Sequence, residues 1–131
     1  MASIFTKIIK REIPAHIVAE NDIALAFLDI SPLTKGHTLV IPKKEVDYLF
    51  DLDDDTYSGL NLFAKKVALG VQQAIPCKRI ATAVIGLEVP HAHIHLIPIN
   101  KMSDANFSNP KLELSEDEMK KIAHQIRATI T

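Results

Sequence analysis

Pro90-His91-Ala92-His93-Ile94-His95-Leu96-Ile97-Pro98 carries three of the chain's six histidines at alternate positions. In a β-strand, residues i, i+2 and i+4 point to one face. Three imidazoles then stand in a row, about 6.5–7 Å apart at Cα from a rise of about 3.3 Å per residue. Ala92 and Ile94 fall between them and suit a strand whose other face is buried. Imidazole titrates nearest neutrality, so such a row can donate, accept or attack. Three readings are open on these residues alone. His-x-His on a strand can supply two metal ligands. The row can instead serve phosphate chemistry, or it is a structural cluster, although basic groups fill a core poorly.

The length of 131 residues allows one core, so a single domain over 1–131 is expected. Apolar residues make up 47%, enough for a folded domain. The net charge is −1 with acids and bases interspersed, which leaves no basic patch for nucleic acid. Cys77 is the one cysteine, so no internal disulfide forms. With no secretory apolar segment at the N-terminus, this points to the cytoplasm. No run approaches the roughly 18 apolar residues of a membrane span. The chain has four glycines and no Gly-rich phosphate loop.

Residues 3–10 read as a short amphipathic helix, with Ser3 as N-cap and Ile4, Phe5, Ile8 and Ile9 at helical spacing. Residues 16–20 and 23–30 form a hairpin across Asn21-Asp22. In its second strand Leu25, Phe27 and Asp29 share a face, while Asp29 is equally a turn residue before Ser31-Pro32. Residues 37–42 form another strand, opened by His37, which by itself is an ordinary surface histidine. Residues 53–75 form the long helix. Asp53, Asp54 and Asp55 complement the positive end of its dipole, so the acidic run is helix-start chemistry and not a metal site. Beyond its main apolar stripe it carries Leu62, Phe63 and Leu69, a second apolar side. A strand over 79–86 leads through Leu87-Glu88-Val89-Pro90 into the histidine strand, as an antiparallel hairpin. Residues 100–113 are a polar, mobile loop. Residues 115–129 close the chain as a helix with a Ser115/Glu118 capping box and a Leu114/Met119 staple. His124 lies on its solvated flank. The order implies an α+β fold with helices packed on an antiparallel sheet of about five strands.

His91-Ala92-His93-Ile94-His95-Leu96-Ile97 matches in full the motif His-φ-His-φ-His-φ-φ, with φ apolar. With it stand Ile4-Phe5, Lys7-Ile8-Ile9, Glu12-Ile13-Pro14-Ala15, Ala26-Phe27, Asp29-Ile30-Ser31-Pro32 and His37 with Leu39-Val40-Ile41-Pro42-Lys43-Lys44. On these residues the chain resembles the histidine triad superfamily, and within it the Hint-like branch of purine nucleoside phosphoramidate hydrolases. The resemblance covers roughly residues 3–99 and leaves 100–131 outside. It implies hydrolysis or transfer at the α-phosphate of a nucleoside phosphoramidate, adenylate or dinucleoside polyphosphate. His93 would be the nucleophile that forms a covalent nucleotidyl-imidazole. His95 would hold a non-bridging oxygen, His91 would position the strand and phosphate, and His37 would support the triad from behind. Asp29 would accept from ribose hydroxyls, and Phe5, Ile8, Phe27 and Ile30 would line the slot for the base. The resemblance further implies a homodimer joined at the sheet edge and the long helix, with no metal in the chemistry.

The chain departs from the branch at two places. Leu87-Glu88 follows Gly86 where relatives have Gln then Ser or Thr, and an Asn that relatives use near the phosphate is omitted. Glu88 is thereby a candidate contact at the leaving-group side, with a carboxyl that burial beside Leu87 and Val89 would raise. Ser3 and Thr6 occupy the places where some relatives carry Cys-x-x-Cys for structural zinc. The altered link also motivates the alternative of a nucleotide-binding dimer with weak or no catalysis, acting as a sensor or interaction protein. A metalloenzyme using His91, His93 and His95 is the third reading.

Overall fold

The computed structural model describes residues 2–130. Helix α1 spans Ile4–Ile9, and strands β1, β2 and β3 span Ile17–Glu20, Ala24–Leu28 and Thr38–Pro42. Helix α2 spans Asp54–Ala74, β4 Arg79–Ala83, β5 Ile94–Ile99 and α3 Glu116–Thr129. Short 3-10 turns lie at Leu49–Asp51 and Met102–Ala105. The strands make one antiparallel sheet in the order β1-β2-β3-β5-β4, so the α+β reading with five strands holds. No described helix is long and apolar enough to cross a membrane.

The two faces of the sheet are buried by different helices, because side chains alternate along each strand. Val40, Ile94 and Leu96 join Leu60, Val67 and Val71 of α2 and Ile122 and Ile126 of α3 in the larger core. Leu25, Phe27, Leu39 and Ile41 point the other way, toward Phe5 and Ile8 of α1. Leu39 pairs with His95, which puts that imidazole on the α1 face. Directly opposed residues of an antiparallel pair share a face.

Local signals act where the sequence places them. Ser3 caps α1 by accepting from Thr6 N–H at 3.0 Å. Asp53 caps α2 from 3.1 Å, and Ser115 with Glu118 closes the capping box of α3. Gly70 is needed for close approach, since a Cβ there would lie 2.4 Å from Ile130 Cγ1. Leu62 and Leu69 of α2 remain 68% and 53% exposed and are uncovered within one chain, whereas Phe63, expected on the same second apolar side, is 7% exposed and joins the larger core.

Four expectations need correction. The histidine strand is shorter than its motif. Ala92 N–H donates to Val46 O and His91 N–H to Val89 O, both at 2.8 Å, so these amides leave the ladder and pairing begins at Ile94. The alternation survives, with Ala92 and Ile94 in the larger core. Strand β4 ends at Ala83, not 86, because its pairing ends opposite His95. Gly86 then turns the chain with φ +72°. Residues 100–113 are not a loose loop. Asp104 Oδ2 accepts from the amides of Asn100 and Lys101, and Leu112 N–H donates to Pro32 O at 2.9 Å. His37 is no surface histidine, being 1% exposed.

Candidate active site

Backbone groups fix which nitrogen of each histidine carries a proton. Leu33 N–H donates to His37 Nδ1 at 3.0 Å, so the His37 proton sits on Nε2. That Nε2–H donates to His95 Nδ1 at 3.0 Å, which leaves the His95 proton on its own Nε2. His93 Nδ1–H donates to His91 O at 2.8 Å, so Nε2 of the neutral His93 ring carries a free lone pair. His91 Nε2–H donates to Pro42 O at 2.8 Å, and its Nδ1 accepts from Ser3 Oγ–H at 2.8 Å. The row therefore offers one lone pair and, next to it, one N–H. The His93 and His95 ring centroids lie 5.0 Å apart.

Burial keeps the supporting rings uncharged. It pushes His37 down to about 3, with the positive charge of a protonated His95 adding to the effect. It pushes His95 down to about 4, with His93 second. His91 is also lowered, mainly by burial. Desolvation penalises the cation, and each ring finds its hydrogen bonds in the neutral form.

A second network braces the row from α1. Glu45, in the loop after β3, accepts at Oε1 from Ser3 N–H (2.7 Å) and Thr6 Oγ1–H (2.5 Å). These bonds, Ser3 N–H first, hold its carboxyl down at about 2. Ser3 Oγ then reaches His91, so the hydroxyls at positions 3 and 6 and the Glu45 carboxylate satisfy one another. Sequence reasoning missed Glu45, which only the turn after β3 brings to α1.

Phe5, Ile8 and Phe27 form a buried apolar wall beside the row, with Phe5 5.6 Å from Phe27 and 5.0 Å from the His93 ring, edge to face. Ile30 lies past β2 and is 79% exposed. Asp29 follows β2 directly. Its N–H donates to His37 O at 3.0 Å and its Oδ1 accepts from Ser31 N–H at 2.9 Å, so the turn role is real. Oδ2 stands 3.6 Å from His37 Nε2. That is no ion pair, since the ring is neutral and its proton is directed at His95. Burial raises the Asp29 carboxyl, and the nearby Glu88 charge adds to the rise. Glu88 itself is exposed, so the burial beside Leu87 and Val89 that would raise its carboxyl is absent and the side chain faces solvent. Gly86, at φ +72°, turns the chain after β4, and Leu87 beside Glu88 is exposed as well.

Two more residues were missed, both in the segment after β5. The Phe107 ring packs edge-on to His95 at 4.8 Å and lies 6.4 Å from His37. The charge of Lys111 acts on both His37 and Asp29. No periodicity in 100–113 signals either residue, and a lone aromatic in a polar run was the only clue.

Asp29, His37 and His95 are the group of described residues whose donor atoms, one from each, lie within 4.8 Å of one another, as a shared ion requires. Two of those atoms already share a proton in the His37–His95 hydrogen bond. A cation would have to displace it, so this donor set is better matched to a proton than to a metal.

Comparison with known proteins bears on the family and the fold. A family model described as the HIT domain matches residues 10–102. A protein of Borreliella burgdorferi named only as HIT-like is 38% identical, over 97% of both chains. The adenosine 5'-monophosphoramidase of Schizosaccharomyces pombe is 35% identical, over 99% of both. Among solved structures, a HIT-like protein of Bartonella henselae superposes with a TM-score of 0.84 at 32% identity, over 98% of this chain and 96% of that one. A zinc-bound histidine triad protein of Mycobacterium smegmatis gives 0.80 at 26% identity, over 98% and 93%.

Proposed function

The chain belongs to the HIT domain family, and from that premise we propose that it is a nucleotide hydrolase acting at the α-phosphate of a nucleoside phosphoramidate or related adenylate. The observation that carries the reading is the pairing of a free lone pair on His93 with a fixed N–H on His95.

His93 Nε2 attacks the α-phosphorus. The N–P bond forms as the bond to the leaving group breaks, and the leaving amine or oxygen takes up a proton. Water then attacks the same phosphorus, the N–P bond breaks, and nucleoside monophosphate leaves with His93 restored. Nucleophilic catalysis divides one displacement into two. His95 Nε2–H donates to a non-bridging oxygen as charge develops there. His37 holds His95 in that tautomer, and His91 positions the carbonyl that orients His93. Asp29 Oδ2, free of strong partners, accepts from ribose hydroxyls. Phe5, Ile8 and Phe27 flank a purine, with Ile30 at the outer edge. Glu88 stands at the rim on the leaving-group side. The uncovered Leu62 and Leu69 side of α2 supports a homodimer.

The test is turnover of adenosine 5'-phosphoramidate together with intact-mass detection of a nucleotidyl adduct on the His93 peptide. His93→Ala should lose the adduct and at least about 10³-fold in rate. Full activity in that variant would overturn the mechanism. Nucleotide binding by the wild type with neither adduct nor turnover would favour a binding protein instead.

A further inference from the structure

We propose that Phe107 is a positioning residue for His95. Its ring packs on the His37–His95 pair, fixes the tilt of the His95 ring and keeps water from the hydrogen bond that sets its tautomer. The inference rests on the nucleotide reading above and adds to it a part from the segment after β5.

Phe107 is the one aromatic residue between 100 and 113, and a turn aims it. Asn106 O accepts from Asn109 N–H at 3.0 Å, and Asn106 Oδ1 accepts from Ser108 N–H at 2.9 Å. Phe107 is therefore the second residue of a tight turn opened by an asparagine. Asn109 Nδ2 donates to Ser103 O at 2.6 Å, which ties the turn to the chain before it. Leu112 N–H donates to Pro32 O at 2.9 Å, which ties the chain after it to the β2–β3 connection. Met102 and Leu112, the other large apolar side chains of the segment, are exposed, whereas Phe107 is half-buried.

Three rings surround His95. Their centroids lie 4.8 Å away for Phe107, 5.0 Å for His93 and 5.2 Å for His37. Phe107 is the nearest, and its inclination of 75° makes an edge-to-face contact, a favoured geometry for aromatic pairs. At 6.4 Å from His37 it spans both members of the pair. It alone of the three carries no donor or acceptor. It cannot compete with the substrate for the His95 Nε2–H or with His37 for Nδ1, as a polar neighbour or a water molecule would.

Water at this place would also solvate a charged His95. A protonated His95 would turn an Nδ1–H against the Nε2–H of His37. His37 cannot answer with its other tautomer, because the Leu33 amide occupies its Nδ1. Keeping the pair dry therefore keeps the donor in place. The other titratable or charged groups around the pair are His93 on the same strand, Asp29 after β2 with Glu88 acting on it, and Lys111, whose Nζ donates to Phe107 O at 2.7 Å. Substitution of Phe107 leaves all of these side chains unchanged.

The experiment titrates the histidine rings of the ligand-free protein by heteronuclear NMR, and measures kcat and KM on adenosine 5'-phosphoramidate, for wild type, Phe107→Ala and Phe107→Leu. Phe107→Ala should raise the His95 midpoint from about 4 toward the ordinary 6.5. Its kcat at neutral pH should fall about tenfold with KM little changed, since the ring touches His95 and not the substrate. Phe107→Leu keeps an apolar cover and should retain the low midpoint and most of kcat. If the alanine variant does not fold, Phe107→Val, a smaller truncation, should show a smaller rise. A His95 midpoint that stays at the wild-type value in the truncated variant would overturn the inference. So would a change in KM alone. A wild type inert on the phosphoramidate would remove the hydrolase reading, and the titration would still decide whether Phe107 holds His95.

Discussion

His37 Nε2 lies 3.0 Å from His95 Nδ1, while the Leu33 amide donates to the far nitrogen of His37 from the same distance. One backbone N–H therefore decides, two rings away, which nitrogen of His95 faces the site with its proton. The direction cannot reverse, because an amide N–H only donates. His37 touches no reacting atom and acts by positioning.

Replacing His37 with Leu should let His95 place its proton on either nitrogen. The donor to the phosphoryl oxygen is then lost for much of the time. The expected result is a kcat lowered about 10²-fold, with KM little changed, as for removal of one oxyanion donor. Steady-state kinetics checks it, and an equal change in KM alone would point to a packing role.

The buried histidines make stability depend on pH. Their ordinary value is 6.5, against about 3 for His37 and about 4 for His95 in the fold, with His91 lowered as well. Below 6.5 the unfolded chain binds more protons than the folded one, so acid favours unfolding. This stability is complete above the unfolded value and is lost as pH falls toward about 4. Asp29, raised by burial, works in the opposite sense but is one group against three. Urea midpoints should fall between about pH 7.5 and about pH 5, and a flat profile would contradict neutral buried rings.

Ser3 serves two partners at once, the Thr6 amide and His91 Nδ1. Ser3→Ala removes a helix cap and leaves a buried nitrogen without its donor. The loss should be about 1–2 kcal/mol by urea denaturation, with Ser3→Thr retaining most of it. A loss within about 0.3 kcal/mol would show that water replaces the hydroxyl freely.

The exposed apolar side of α2 sets the expectation for assembly. Light scattering should report twice the mass of one chain. Leu62→Glu should shift the particle to a single chain, since a carboxylate cannot be buried there without a partner. A wild type that stays monomeric at micromolar concentration would remove the dimer from the proposal.

How much of this was legible follows from the range of each interaction. The Ser115/Glu118 box, the acidic start of α2 and its apolar stripe are written within a few residues and stand where the sequence puts them. The alternation of His91, His93 and His95 is also local, since the strand-like backbone has period two even where Ala92 leaves the ladder. The actual start of β5 was not legible, because it depends on Val46, an acceptor far away in the chain.

The sequence by itself determined the row of imidazoles, the five-stranded sheet and the helices that bury its faces, because these depend on periodicity and capping between near neighbours. The tertiary structure alone decided the chemical state of that row. The protons on His37 and, through it, His95 are placed by the Leu33 amide, and that on His91 by the Pro42 carbonyl and the Ser3 hydroxyl, the last 88 positions away, while His93 takes its tautomer from the nearby His91 carbonyl. His37 became buried, Glu45 met Ser3 and Phe107 packed on His95 for the same reason. Hydrogen bonds and desolvation act across space, and no local pattern in the chain records which distant groups will meet.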